Sequence, residues 1–143
     1  MSLPSPPEAA VVSLSIPCRA EYVGVARLAI LGVASRLNFS YDEVEDLRLA
    51  VGEACTSAID RSGGESSRTD IRIYCDIQPD ALTISVNYKA NGEAGRPAVE
   101  PEPAVDTENI GALLMEILVD SVEVQEDAEE GTTVRLNKKV RVQ

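Results

Sequence analysis

The chain contains no histidine and no tryptophan, and its 143 residues include a single phenylalanine. Without histidine it cannot run Ser-His-Asp or Cys-His catalysis, ligate a metal through imidazole or carry a phosphohistidine. Aromatics make up 3% and hydrophobic residues 44%, so the core has to be aliphatic, built from Val, Ile, Leu and Ala. The length suits one domain and is enough to bury a core without staples. Cysteine is scarce too. Cys18, Cys55 and Cys75 stand far apart, odd in number, with no CxxC. Neither a zinc site nor a disulfide framework is signalled, and thiols in a reducing compartment are the expectation.

Positive charge is also in short supply. Lys and Arg total 13 against 24 Asp and Glu, a formal net charge of −11. Counterion release rewards cationic surfaces, so no direct nucleic-acid partner is expected. An acidic surface serves solubility, and it steers a basic protein partner. Long hydrophobic runs are missing as well. The longest, around Val23 to Val33, is broken by Arg27 and two glycines. It is too short and too polar to span a bilayer, and no secretory h-region is visible. A cytoplasmic location without membrane association is the expectation.

What is present is periodicity. Residues 1–8 carry Pro4, Pro6 and Pro7 and read as a disordered leader. Val12, Leu14 and Ile16 alternate with serines, a short strand ended by Pro17. Glu21 to Leu37 reads as a helix, with Val25, Leu28, Ala29 and Gly32 on an apolar face, largely buried. Ser40 with Glu43 forms the capping box of a second helix, Tyr41 to Asp60. Its apolar face is Val44, Leu47, Val51, Ala54 and Ala58; Asp46, Glu53, Ser57 and Asp60 lie on a polar one. After a Gly/Ser cluster at 62–67, Ile71, Ile73, Cys75 and Ile77 alternate with polar residues, then Leu82, Ile84 and Val86 do the same. Gln78 to Asp80 is the hairpin turn.

Residues 90–108 have no period but carry Gly92, Gly95, Pro97, Pro101 and Pro103, five acids and one base. A loop this long is functional or disordered. A third helix spans Asn109 to Asp120, with Ile110, Leu113, Leu114, Ile117 and Leu118 as its apolar stripe. Val122 and Val124 open another strand. Gly131 turns into a last one, with Val134, Leu136, Val140 and Val142 alternating against Arg135, Lys139 and Arg141. The order β-α-α-β-β-loop-α-β-β predicts an α+β two-layer sandwich, a mostly antiparallel sheet covered by helices on one face.

Tyr22-Val-Gly-Val-Ala-Arg-Leu and the run from Tyr41 to Thr56 resemble the RsbW/SpoIIAB group of anti-sigma factors, serine-protein kinases of the GHKL ATPase superfamily with the Bergerat fold. Gly111 to Asp120 resembles that family's helix after the ATP lid, and Gly131-Thr-Thr-Val its closing glycine-threonine motif. The resemblance covers residues 10–140. It implies ATP and Mg²⁺ as cofactors, the 90–108 loop as a lid within a single domain over 9–143, and a homodimer. It also implies a sigma factor as the sequestered partner and a STAS-type anti-anti-sigma protein as the serine substrate.

Carried over residue by residue, the resemblance makes Glu53 the catalytic carboxylate, which orients or deprotonates the attacking hydroxyl. An ordinary exposed helix glutamate is the alternative. Ser57 stands where the family has a magnesium-binding asparagine, and a serine hydroxyl is a shorter, poorer ligand. Asn87 is matched to the adenine-binding aspartate, with an amide oxygen that still accepts a proton. Lys89 replaces a family glycine. Asn109 replaces the first glycine of the lid-to-helix motif and Gly111 keeps the second, where helix N-terminal amides meet phosphate. Thr132 and Thr133 match the terminal motif, although β-formers in a strand need no function.

Two readings follow. One is an active anti-sigma serine kinase. The other is a degenerate, non-catalytic binding module of the same fold that binds ATP poorly. A third, the ATPase half of a sensor histidine kinase, needs a phosphoacceptor on another chain.

Overall fold

The computed structural model describes residues 9–63, 69–89 and 107–141, with residues 107–110 described by backbone alone. The expected leader, and residues 90–106 of the expected lid, lie outside the described residues. The elements are β1 (Ala10–Pro17), a 3-10 turn (Ala20–Tyr22), α1 (Val23–Ala34), α2 (Tyr41–Arg61), β2 (Asp70–Gln78), β3 (Ala81–Tyr88), α3 (Thr107–Leu118), β4 (Ser121–Asp127) and β5 (Gly131–Lys139). The strands form one sheet in the order β1-β2-β3-β5-β4, every pair antiparallel. Helices pack on one face, α1 over β1 and β2, α2 over β3, and α3 beside β4. This is the expected α+β two-layer sandwich.

Strand alternation sets the two faces. Ile71, Ile73, Cys75 and Ile77 of β2, and Leu82, Ile84, Val86 and Tyr88 of β3, are buried under the helices. Their neighbours in sequence point to the open face. The β2–β3 hairpin closes with Gln78 opposite Ala81. Pro79 fits there because its ring presets a turn and a turn position needs no N–H donor. α2 begins as expected. Glu43 N–H donates to Ser40 Oγ at 3.1 Å, and Ser40 N–H donates to Glu43 Oε1 at 2.8 Å. Its predicted face, Val44, Leu47, Val51, Ala54 and Ala58, is buried throughout.

Two helices turn a different face inward than periodicity suggested. In α1 the buried residues are Val23, Ala26, Ile30, Val33 and Ala34. Leu28 is 64% exposed and Val25 45% exposed, and Gly32 is exposed too. α1 is apolar almost all round, so sequence spacing cannot choose which stripe meets the sheet. In α3, Met115 and Leu118 are buried with the adjoining Val119, whereas Leu113 and Ile117 are exposed, Ile117 to 77%. α3 lies at the margin beside the edge strand β4, where α2 packs against one side only. The Ile110 side chain is outside the described residues. The last strand ends at Lys139; Val140 is partly buried against the core, and Val142 lies outside the described residues.

Lys138 shares the inward phase of β5 with Val134 and Leu136 and is buried. Its ammonium donates to the Leu118 carbonyl at 3.1 Å, at the last residue of α3. Cation and helix C-terminus are a favourable pair, which accounts for a charge in a core phase. Asp120 ties the same corner to β5: its Oδ2 accepts from Lys139 N–H at 2.7 Å and its Oδ1 from Arg141 at 3.0 Å.

Candidate functional site

A cleft of about 210 Å³ opens between the helix layer and the buried face of the sheet. α2 supplies one wall. Glu53 and Ser57 are one helical turn apart, so both side chains point into it. Thr56, Asp60 and Arg61 border it from the same helix. α3 supplies Gly111, Ala112 and Met115, and the sheet supplies Tyr88, Val124 and Val134.

Gly111 matters through what it lacks. A Cβ built there would stand 3.1 Å from Glu53 Oε1, so the glycine lets α3 approach the α2 carboxylate closely. The sequence match of these two positions is thus a spatial juxtaposition. Ser57 joins them. Thr132 lies on the same face of the sheet, register partner of Tyr88 and in phase with Val134. The Asn109 side chain is outside the described residues.

Asn87, Lys89 and Thr133, of which Asn87 and Thr133 were expected at the nucleotide, do not line this cleft. All three border a separate groove on the open face of the sheet. Asn87 Nδ2 donates to Thr133 Oγ1 at 2.9 Å, to the Glu130 carbonyl at 3.0 Å and to the Thr132 carbonyl at 3.3 Å. The amide staples the β4–β5 turn to β3. The physical reason is the strand period. The cleft lies on the core side, and a residue that faces it must share the phase of Leu82, Ile84 and Val86. That residue is Tyr88, 5% exposed. The alternation already visible in the sequence carries this signal. Arg61 and Met115 were also missed, and no motif marks either.

Chemically the cleft is lined mainly by apolar atoms, with the acids Glu53 and Asp60 and one cationic side chain among the described residues, Arg61. Among the described residues no group of three or more His, Cys, Asp or Glu is placed to hold a metal. Cysteine chemistry is absent from the site. Burial pushes the Cys55 thiol up to about 12, Arg27 pulling the other way, and burial pushes Cys75 up to about 11. No helix among the described residues is long and apolar enough to cross a membrane.

A helix-covered antiparallel sheet, with a cleft between the two layers and a helix glutamate in it, defines the class of histidine kinase-like ATPase domains. That domain family matches residues 16–138. The serine-protein kinase RsbW of Bacillus subtilis is 35% identical over 136 residues, which cover 89% of this chain and 84% of that protein. RsbW of Bacillus licheniformis is 37% identical over 142 residues, with 89% and 84% covered. The crystal structure of the RsbU and RsbW domains of a Mycobacterium tuberculosis protein superposes with a TM-score of 0.68 at 14% identity. It covers 93% of this chain and 33% of that one, and at such identity it speaks for the fold alone. The chain belongs to the RsbW family of serine-protein kinases, within the histidine kinase-like ATPase domains.

Proposed function

We propose that this protein is an anti-sigma factor that sequesters a sigma factor and is released by a STAS-type anti-anti-sigma partner. The observation that carries this reading is the identity of 33–37% to RsbW proteins over 84% of their length. A net charge of −11 suits a basic partner surface, through steering and complementary potential. In this reading residues 9–143 are one domain in the cytoplasm, with 90–108 as the lid.

The self-association expected of the family has a candidate surface. Val25, Leu28 and Leu31 of α1 are exposed, as are Val11 and Val12 of the edge strand β1. Exposed apolar patches of this kind mark protein contacts. A homodimer through α1 and β1 would cover them. Sedimentation of wild type and Leu28→Glu checks this: the wild type sediments as a dimer and the variant as a folded monomer.

ATP and Mg²⁺ are what the family implies, and the described residues fit them poorly. The cleft of about 210 Å³ is below the roughly 300–1,000 Å³ usual for ligand sites. Glu53 and Asp60 present negative charge to a polyanion. Ser57 offers one short hydroxyl where Mg²⁺ wants several oxygens in octahedral geometry. The geometry therefore favours sequestration by protein surface, the non-catalytic alternative. One observation favours the kinase reading: Glu53 stands beside Gly111 in the cleft. In that reading Glu53 is the catalytic residue, Ser57 the magnesium ligand, and Asn109, Gly111 and Thr132 line the nucleotide.

Capture from the host cell, read for sigma factors and STAS-type domains, tests the proposal. Recovery of a sigma factor whose transcription the purified chain then inhibits is the expected result. If neither class is recovered, the proposal fails.

A further inference from the structure

We infer that Tyr88 closes the α2–α3 cleft to nucleoside triphosphates, so that partners are held without regard to ATP. The inference rests on the functional reading above and sharpens it to one side chain.

Tyr88 is the last residue of β3 and sits in the inward phase of that strand. It is 5% exposed, and it lines the cleft from the sheet side, with Glu53 and Gly111 on the helix side. An aromatic ring here takes up space between the two layers that a small or polar residue would leave to a ligand.

The backbone that carries the ring is fixed on both sides. Asn87 is bonded to Thr133, Glu130 and Thr132. On the other side, Thr69 Oγ1 donates to the Lys89 carbonyl at 3.0 Å. Gly131 packs against the Tyr88 carbonyl so closely that a Cβ there would overlap it. β3 therefore cannot swing the ring out by local movement of its end. Val134 and Met115, both buried, line the cleft beside the ring and leave it little room to turn.

Charge works in the same direction. Glu53 and Asp60 line the space that remains, and with Arg61 they leave no excess of positive charge for a triphosphate among the described residues.

Isothermal titration of Mg-ATP into wild type, Tyr88→Phe, Tyr88→Leu and Tyr88→Ala tests this directly. Wild type and Tyr88→Phe are expected to give no saturable heat up to about 1 mM nucleotide. Tyr88→Ala is expected to bind at least about tenfold more tightly, because the ring and not the hydroxyl is the obstacle. Tyr88→Leu keeps an apolar side chain in the core, so it covers loss of fold in Tyr88→Ala, and it too should gain affinity. Micromolar binding by wild type overturns the inference, and so does a folded Tyr88→Leu or Tyr88→Ala that gains nothing.

Capture of the sigma factor by wild type is measured in parallel, with and without Mg-ATP. Capture unchanged by nucleotide supports the inference, and capture that depends on it overturns the inference alone. Absence of capture under both conditions overturns the functional reading instead.

Discussion

Gly131 illustrates how one residue fixes the position of another. Its φ of +91° lies in the region that side chains avoid, and a Cβ would meet the Tyr88 carbonyl. Asp127 Oδ1 prepares the turn by accepting from Glu129 N–H at 2.8 Å. Gly131→Ala should therefore destabilise the fold by about 2 kcal/mol or more, read as a lower urea midpoint at unchanged slope. Lys138 offers a second check. Replacing it by Met removes the bond to the Leu118 carbonyl and the cation at the end of α3. The expected cost is about 1–2 kcal/mol, with faster hydrogen exchange in the last turn of α3. Gly52 is held differently: a Cβ there would meet the Arg27 guanidinium at 2.6 Å, the far end of a flexible side chain. Among the described residues Arg27 Nε has no hydrogen-bond partner.

Among the elements, α2 is the scaffold of the site. It is the longest helix described, it packs against both other helices, and it carries Glu53 and Ser57. Its start is secured by the reciprocal bonds of Ser40 and Glu43. Ser40→Ala should cost about 1 kcal/mol, with loss of protection confined to the first turn in hydrogen exchange. α1 and α3 flank α2 and leave apolar residues outward, Leu28 and Leu31 on one and Leu113 and Ile117 on the other. α1 packs near β1 and α3 near β4, the two edges of the sheet. The exposed apolar residues therefore fall on opposite flanks of the helix layer.

For the molecule as a whole, the buried thiols predict how stability depends on pH. Cys55 is raised from 9.0 to about 12 and Cys75 from 9.0 to about 11, in both cases chiefly by burial. The folded chain thus keeps protons that the unfolded chain has lost. Their contribution is complete below pH 9 and is lost as pH rises through the folded values. Between pH 9 and about 11 each thiol should lower unfolding free energy by about 1.4 kcal/mol per pH unit. Urea midpoints at pH 8, 9 and 10 check this, and a Cys55→Ala, Cys75→Ala variant should flatten the decline. The same thiols should resist alkylation at neutral pH until the chain unfolds.

Much of this molecule was legible in its residues. Local rules act through near neighbours, so the capping box at Ser40, the β2–β3 hairpin and the buried stripe of α2 followed from spacing alone. The family followed from the run around Glu53, confirmed by relatives at 33–37% identity. Residue spacing was enough for the order of elements and the alternation of β3, hence for which residues share a face. Which face meets what depends on packing between elements distant in the chain. α1 is apolar nearly all round, and its inward stripe was chosen by contact with the sheet rather than by period. Glu53 and Gly111, far apart in the chain, meet because α3 packs on α2. Tyr88 and not Asn87 faces the cleft, because the cleft lies under the helices and period-2 strands send adjacent side chains to opposite sides.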